Sequence, residues 1–428
     1  MISDAFNRAG RFDPATLATI GPALQAFVDR GELAGVVTLT SHRGEIVQAE
    51  TIGWRDIETK TPMRPDTLFR IASMTKPITS VTALMLVEEG RIALDDPISR
   101  WVPELAAPRV LRDATGPLDD TVPARRAITI EDLLTHRSGI AYGFSSEGPL
   151  KQAYEETLGD PAMNRLTPDL WLAALGTLPL AYQPGALFHY GHSTDVLGFL
   201  ISRVEGKPLR QILQERLFAP LGMVDTDFWL PREKRGRLAS LYGYHEAPGQ
   251  LVKIEPEMYD EPAAYSPGGG GLISSAPDYH RFARMLLGEG ALEGIRVLRP
   301  ETVRLMRANR LTEAQREVPF GGMALWQKNG FGLGLSIAED PVGNPYACGA
   351  PGSMTWPGIF GTWWQADPVN DLIMIYLIQH QVPVSANSGA TIATGRGAAG
   401  RRALPLYQQA TYAALRGTLA LAEQGSHR

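Results

Sequence analysis

Apolar residues recur at Leu17, Ile20, Leu24, Phe27 and Val28, a helical spacing that predicts an amphipathic helix over roughly residues 14–30. The pattern then changes. From Gly35 to Trp54 two β-rich runs flank His42-Arg43-Gly44, which predicts a hairpin. The far end mirrors this arrangement. GTWWQAD (Gly361 to Asp367) and LIMIYLIQ (Leu372 to Gln379) predict two strands joined by Pro368-Val369-Asn370-Asp371, and a helix follows over about residues 404–423. The middle is different. Between Pro77 and Glu233 the signals are helical segments cut by Pro and Gly, among them TIEDLLTHRSG, DLWLAALGTL, STDVLGFLISRVEG and LRQILQERLFAPLG. Strand-like alternation returns after about Leu238. The expected fold class is therefore α/β (α+β), an antiparallel sheet built from both chain ends and flanked by helices, with an inserted, mostly helical domain. The expected division is residues 1–76 with 234–428 for the sheet-bearing domain and 77–233 for the helical one.

Composition narrows the function classes. A chain of 428 residues has ample length for a large core and for two or three domains, or for one large domain carrying an insertion. The net charge of -5 comes from 41 basic and 46 acidic residues, mixed along the sequence. No basic block suggests a nucleic-acid partner. The longest apolar runs, such as Leu372 to Ile378, are strand-sized, so no membrane span is expected. The N-terminus has no charged segment leading into an apolar one, and the single cysteine, Cys348, forms no intrachain disulfide. A cytoplasmic location is the expectation. Cys348 has no evident activating neighbour and is read as inert.

The candidate chemistry begins in FRIASMTKPITSVTALMLVEEG, Phe69 to Gly90. Proline is tolerated in a first helical turn, so Pro77 predicts a helix beginning at or just after Ser73. Residues three apart share a helical face, which lets the Lys76 amine reach the Ser73 hydroxyl. A serine hydroxyl needs an adjacent base to become a nucleophile. A free lysine amine is protonated at neutral pH, and burial or nearby positive charge disfavours that form. A helix start inside an apolar segment offers such surroundings. Alone, Ser-x-x-Lys is a common chance match and a buried lysine stem has ordinary packing roles.

Four further stretches, in order, supply context: LLTHRSGI (Leu133 to Ile140), YQPGALFHYGHSTDVLG (Tyr182 to Gly198), PLGMVDTDFWLP (Pro220 to Pro231) and GGGGLISSAPDYHRFARMLLGEG (Gly268 to Gly290). With FRIASMTKPITS they resemble the serine β-lactamase and penicillin-binding-protein superfamily, and within it the class C β-lactamase-like family VIII carboxylesterases. The resemblance covers about residues 15–420. It implies that Ser73 is the acylated nucleophile, Lys76 its base, and Tyr190 of His-Tyr-Gly-His the group that relays protons to the leaving group. It also implies that Trp356-Pro357-Gly358 stands where penicillin-recognising members have Lys-Thr-Gly on a strand. Ile359 would then offer its N–H, with that of Ser73, as an oxyanion hole.

Two departures stand out. His192 replaces an asparagine of the lactamases; it could hydrogen-bond substrate or Lys76, or form a polar wall. Trp356 replaces the lysine that would pair with a β-lactam carboxylate, which favours neutral esters and gives the pocket an apolar wall. Pro357 lacks an N–H and suits an edge strand. Tyr142 and Phe144 are further candidates to line the acyl pocket, or ordinary packing residues. His136 reads as a histidine whose ring fixes a loop. His189, His192 and Asp195 have loose spacing for a metal and no completing cluster, so no metal is expected. The run Gly268 to Gly271 has no following Lys-Ser/Thr and reads as a tight loop entering a strand. No Gly-x-Ser-x-Gly elbow occurs.

The expected function is a serine carboxylesterase that hydrolyses small-molecule carboxylic esters, with short acyl chains, through an acyl-enzyme on Ser73 and without a cofactor. The alternatives are a β-lactamase, an amide hydrolase or peptidase, or an acyltransferase of the same superfamily, and more remotely a non-catalytic binding protein that keeps the fold. The sequence sets neither the natural substrate nor the oligomeric state.

Overall fold

The computed structural model describes residues 12–159, 166–245, 249–254, 262, 265–320, 322–342, 349–381 and 399–425; Cys348 lies outside them. The central feature is an eight-stranded antiparallel sheet. Its strands are β1 (Gly35–His42), β2 (Glu45–Asp56), β3 (Thr61–Pro62), β4 (Asn329–Phe331), β5 (Ser336–Ala338), β6 (Met354–Thr355), β7 (Trp363–Asp367) and β8 (Leu372–Leu377). Their spatial order is β4-β5-β6-β7-β8-β1-β2-β3. The two chain ends meet at the β8–β1 pair, with Val37 opposite Leu377 and Thr40 opposite Met374.

Both hairpins form where the pattern places them. Arg43 and Gly44 adopt φ of 53° and 82°, the two left-handed residues that a tight β1–β2 turn demands. Successive side chains of a strand point to opposite faces, and β8 is apolar on both because both faces are covered. Leu372, Met374 and Tyr376 pack with Leu24 and Phe27 of helix α1 (Ile20–Asp29) and with Tyr407. Ile373, Ile375 and Leu377 pack into a larger core with Val37 and Leu39. That core includes Ile78 and Leu84 of helix α2 (Thr75–Glu88), Val196 and Leu200 of α3 (Ser193–Glu205), and Phe282 of α4 (Ala276–Leu287). The last helix, α5 (Ala399–Gly425), carries Tyr407.

The predicted first helix is broken in two, Pro14–Leu17 and then α1. Pro22 explains the break, because it has no N–H to give Ala18 and cannot continue the earlier turns. The expected alternation after Leu238 appears as Leu241–His245 and Gln250–Ile254, which form a small sheet with His380–Gln381. No helix among the described residues is long and apolar enough to cross a membrane.

Candidate active site

Ser73 sits in a 3₁₀ turn, Ala72–Met74, that runs directly into α2. The residue before it, Ala72, is held at φ 45°, a left-handed conformation unfavourable for a residue with a Cβ. Flanking bonds hold that turn: Ile71 N–H donates to Leu272 O at 3.0 Å, and Met74 N–H to Ile71 O at 3.1 Å.

Two groups converge on the Ser73 hydroxyl. The Lys76 amine lies 3.2 Å from Ser73 Oγ. The Tyr190 hydroxyl donates to the same oxygen at 2.7 Å. Lys76 is 1% exposed, so the predicted burial of this cation-bearing side chain is realised. Its amine also donates to Gly269 O at 2.6 Å and approaches Tyr142 Oη at 3.3 Å. With the amine neutral, the same set is satisfied by two donated bonds, to Gly269 and Tyr142, and one accepted from Ser73. The Tyr190 ring lies against the amine, 4.6 Å from ring centroid to Nζ.

The backbone of His189 to His192 is docked on the LLTHRSGI segment. His189 N–H donates to His136 O at 2.7 Å, and His192 N–H reaches Ala141 O at 3.4 Å. The approach is so close that a Cβ on Gly191 would fall 2.0 Å from Ile140 O. His136 therefore acts mainly through its backbone. Its buried ring packs 4.8 Å from the Tyr190 ring, its Nε2 is 3.5 Å from Thr194 Oγ1, and its Nδ1 has no partner among the described residues. The expected ring hydrogen bond is present at Nε2, to Thr194, and the His136 carbonyl adds a backbone bond to the docked segment. Burial first, then the positive charge of Lys76 and the proximity of His189, hold the His136 ring well below the usual histidine range.

Tyr142 has a larger part than pocket lining. Its hydroxyl bridges Lys76 and the Asp195 carboxylate, the latter at 3.4 Å. Burial and the Asp195 charge push its phenol well above the usual tyrosine range, so it stays a neutral donor to the carboxylate. Phe144 stacks on the Tyr142 ring at 4.8 Å and remains 40% exposed. His192 does not reach Lys76. It is buried against the Tyr142 ring, centroids 4.2 Å apart, and its Nδ1 is 2.8 Å from Asp195 Oδ2. Among the described residues the hydrogen bond recorded for the His192 ring is to Asp195 rather than to Lys76. His189 faces elsewhere, against the Tyr182 ring at 5.1 Å, so His189, His192 and Asp195 do not converge.

Sequence reasoning missed two members of this network, Asp195 and Gly269. Asp195 Oδ1 accepts the Gly269 N–H at 2.8 Å, which aims the Gly269 carbonyl at Lys76. Burial alone would raise the Asp195 pKa; the His192 hydrogen bond, the attraction of His192 and Lys76 and the Gly269 N–H outweigh it and leave it lowered. The glycine run is the expected tight turn ahead of a short strand, Ile273–Ser274. It needs glycine for close approach, since a Cβ on Gly269 would sit 2.9 Å from Asp195 Oδ1 and 3.0 Å from Tyr142 Oη. A carboxylate inside the apolar STDVLGFLI run was the available signal.

Trp356 closes the other side. Its buried indole packs on Phe331, Tyr190 and Phe320 at 5.1, 5.4 and 6.0 Å. It also donates from Nε1 to Tyr190 Oη at 3.3 Å, so the wall carries a polar contact as well. The strand before it, β6, ends at Thr355. Pro357 has no N–H for a ladder, and the Gly358 N–H goes to Thr362 O at 2.8 Å instead. Trp356, Pro357 and Gly358 are thus off the strand, a departure from the strand position the resemblance implies. Gly358 abuts the nucleophile turn: a Cβ there would lie 2.4 Å from Ile71 O. Ile359, next in line, is 42% exposed. Among the described residues no hydrogen-bond partner is assigned to the N–H of Ser73 or of Ile359.

The family model described as Beta-lactamase matches residues 22–396. Protein Rv1367c of Mycobacterium tuberculosis (strain ATCC 25618 / H37Rv) is similar, with 48% identity over 396 residues, which cover 92% of this chain and 98% of that protein. Esterase EstB of Burkholderia gladioli is 33% identical over 400 residues, covering 86% of this chain and 94% of its own. Among solved structures, EstCE1, a hydrolase with promiscuous acyltransferase activity, superposes with a TM-score of 0.74 at 27% identity, covering 93% of this chain and 99% of that one.

Proposed function

The chain belongs to the Beta-lactamase family, and on that premise we propose that it is a serine carboxylesterase acting through an acyl-enzyme on Ser73. One observation carries this reading: Tyr190 Oη and Lys76 Nζ converge on Ser73 Oγ at 2.7 and 3.2 Å, beside an aromatic wall. The similarity to Esterase EstB supports the ester class. The buried indole of Trp356 supports neutral substrates, because it stands where penicillin-recognising relatives would place a cation for the lactam carboxylate.

In the proposed course, Ser73 Oγ attacks the ester carbonyl carbon while Lys76, with its amine neutral, takes the hydroxyl proton. The oxyanion forms beside the N–H groups of Ser73 and Ile359, each worth about 3 kcal/mol at the transition state. Collapse breaks the bond to the alcohol. Tyr190 gives the departing oxygen its proton and recovers one from Lys76. Water then enters, loses its proton to the same pair, and releases the acid and the free Ser73. The Trp356 indole, donating to Tyr190 Oη, holds that hydroxyl on the reacting side. Short acyl chains suit a site bounded by Tyr142 and Phe144 on one side and Trp356 and Phe320 on the other.

Parallel assays with p-nitrophenyl butyrate and nitrocefin test the proposal. Ester turnover well above background with slow lactam turnover is expected. Lactam turnover with background ester rates contradicts it. A second reading, acyl transfer to an alcohol in place of water, draws on the similarity to EstCE1. The acyl-enzyme is common to both, and product analysis with an added alcohol separates them.

A further inference from the structure

Away from Ser73 the surface holds a cleft of about 390 Å³ whose lining includes Arg55, Asp56, Arg70, Arg235, Ser240 and Lys253. Four cationic residues and one carboxylate residue line it, an excess of three positive charges on a chain whose net charge is -5. The carboxylate is already satisfied. Asp56 accepts from Lys253 Nζ and Ser240 Oγ, both at 2.7 Å, and from the N–H and hydroxyl of Thr59 at 2.8 and 2.7 Å. Lys253 is engaged by that pair, and Arg235 donates to Leu230 O.

Arg55 and Arg70 differ. Neither guanidinium has an ion pair or hydrogen bond among the described residues. Arg70 is largely withdrawn from water, and burial draws its pKa down to about 10. Burial also lowers that of Arg55, with Asp66 and Asp56 acting against the shift and Arg64 and Arg237 adding to it. Withdrawing a cation from water without a counter-charge destabilises the fold. The Arg70 backbone is nevertheless fixed: its N–H donates to Gln379 Oε1 at 2.7 Å, and Gln379 Nε2 donates back to Arg70 O at 3.2 Å. Arg70 is thus carried on a fixed backbone and lines a cleft sized for a small molecule.

We propose that this cleft is a second binding site, distinct from the Ser73 centre, for a small organic anion with at least two negative charges, held by Arg70 and Arg55. Guanidinium forks match carboxylate and phosphate oxygens in paired hydrogen bonds, so a phosphate ester and a polycarboxylate share the required chemistry. None of Ser73, Lys76 or Tyr190 lines the cleft, and the site stands whether or not the protein is an esterase.

The test is calorimetric titration of the full chain with glycerol 3-phosphate and, separately, with citrate, against chloride at matched ionic strength. Saturable binding of one of the two is expected, and which one binds identifies the source of the charge. Arg70→Met and Arg55→Met should each weaken it roughly tenfold or more, the equivalent of one lost charge-assisted hydrogen bond. Arg70→Met replaces an uncompensated cation by an apolar chain of similar length, so its unfolding midpoint without ligand should equal or exceed that of the wild type. Heats indistinguishable from chloride for both ligands, or affinity unchanged in both variants, overturn the proposal.

Discussion

Asp195 is the residue on which the arrangement around Lys76 turns. Its carboxylate has two contacts at 2.8 Å, with the Gly269 N–H and His192 Nδ1, and a longer one of 3.4 Å with Tyr142 Oη. Asp195→Asn keeps an oxygen for Gly269 and places an amide N–H₂ against His192, whose ring can accept through the other tautomer. What it loses is the charge on two good bonds. Charged hydrogen bonds are worth about 1 kcal/mol more than neutral ones, so a destabilisation of roughly 2 kcal/mol follows. Asp195→Ala removes every acceptor and strands the Gly269 N–H and the His192 ring inside the protein. At about 1–3 kcal/mol for each stranded group, the loss is roughly 3–5 kcal/mol. It also releases the Gly269 carbonyl that receives the Lys76 amine, so kcat should fall further in the alanine variant, by about tenfold beyond asparagine. Urea unfolding and p-nitrophenyl butyrate kinetics measure both effects. An alanine variant within about 0.5 kcal/mol of the wild type, with unchanged kcat, would refute the reasoning.

Further outcomes are expected. Tyr190→Phe removes the hydroxyl 2.7 Å from Ser73 and should lower kcat roughly 10²–10⁴-fold with little change in KM, read by steady-state kinetics. Gly191→Ala would place a Cβ 2.0 Å from the Ile140 carbonyl, and the forced backbone shift should cost about 1–3 kcal/mol or more, seen as a lower thermal midpoint together with lost activity. His189 and His280 are held down at about 4, His189 by burial and His280 by burial aided by Arg284 and Arg281. The unfolded chain takes up protons at these rings near pH ~6.5 while the folded one does not, so stability is full above that pH and falls below it. His136, held down by burial as well, adds an equal share, so a loss of roughly 3–4 kcal/mol between pH 7 and 5.5 is expected from urea titrations, reduced by about a third in His189→Gln.

Much of this architecture is legible in the chain because it rests on local rules. The β1–β2 and β7–β8 hairpins follow from short β-rich runs and from residues able to adopt left-handed turns, Arg43-Gly44 and Asp371. The meeting of Ser73 and Lys76 follows from helical spacing. The place of Tyr190 came only from resemblance, since 117 residues separate it from Ser73 and no local pattern joins them. The Asp195–Gly269 link was hidden for the same reason: a side chain in α3 meets a backbone N–H 74 positions away. The break at Pro22 was legible in principle, but the apolar period ran across it and suggested one helix. The loss of strand at Trp356 to Gly358 was foreshadowed by Pro357, whose missing N–H is a stronger constraint than the likeness to a strand motif.

The central claim is that Ser73 is the nucleophile, activated by Lys76 and Tyr190. Intact-mass analysis after treatment with a fluorophosphonate tests it most directly. The account predicts one covalent adduct on the wild-type protein, slower labelling of Lys76→Met, and none on Ser73→Ala folded to the same unfolding midpoint. An adduct that survives in Ser73→Ala contradicts it.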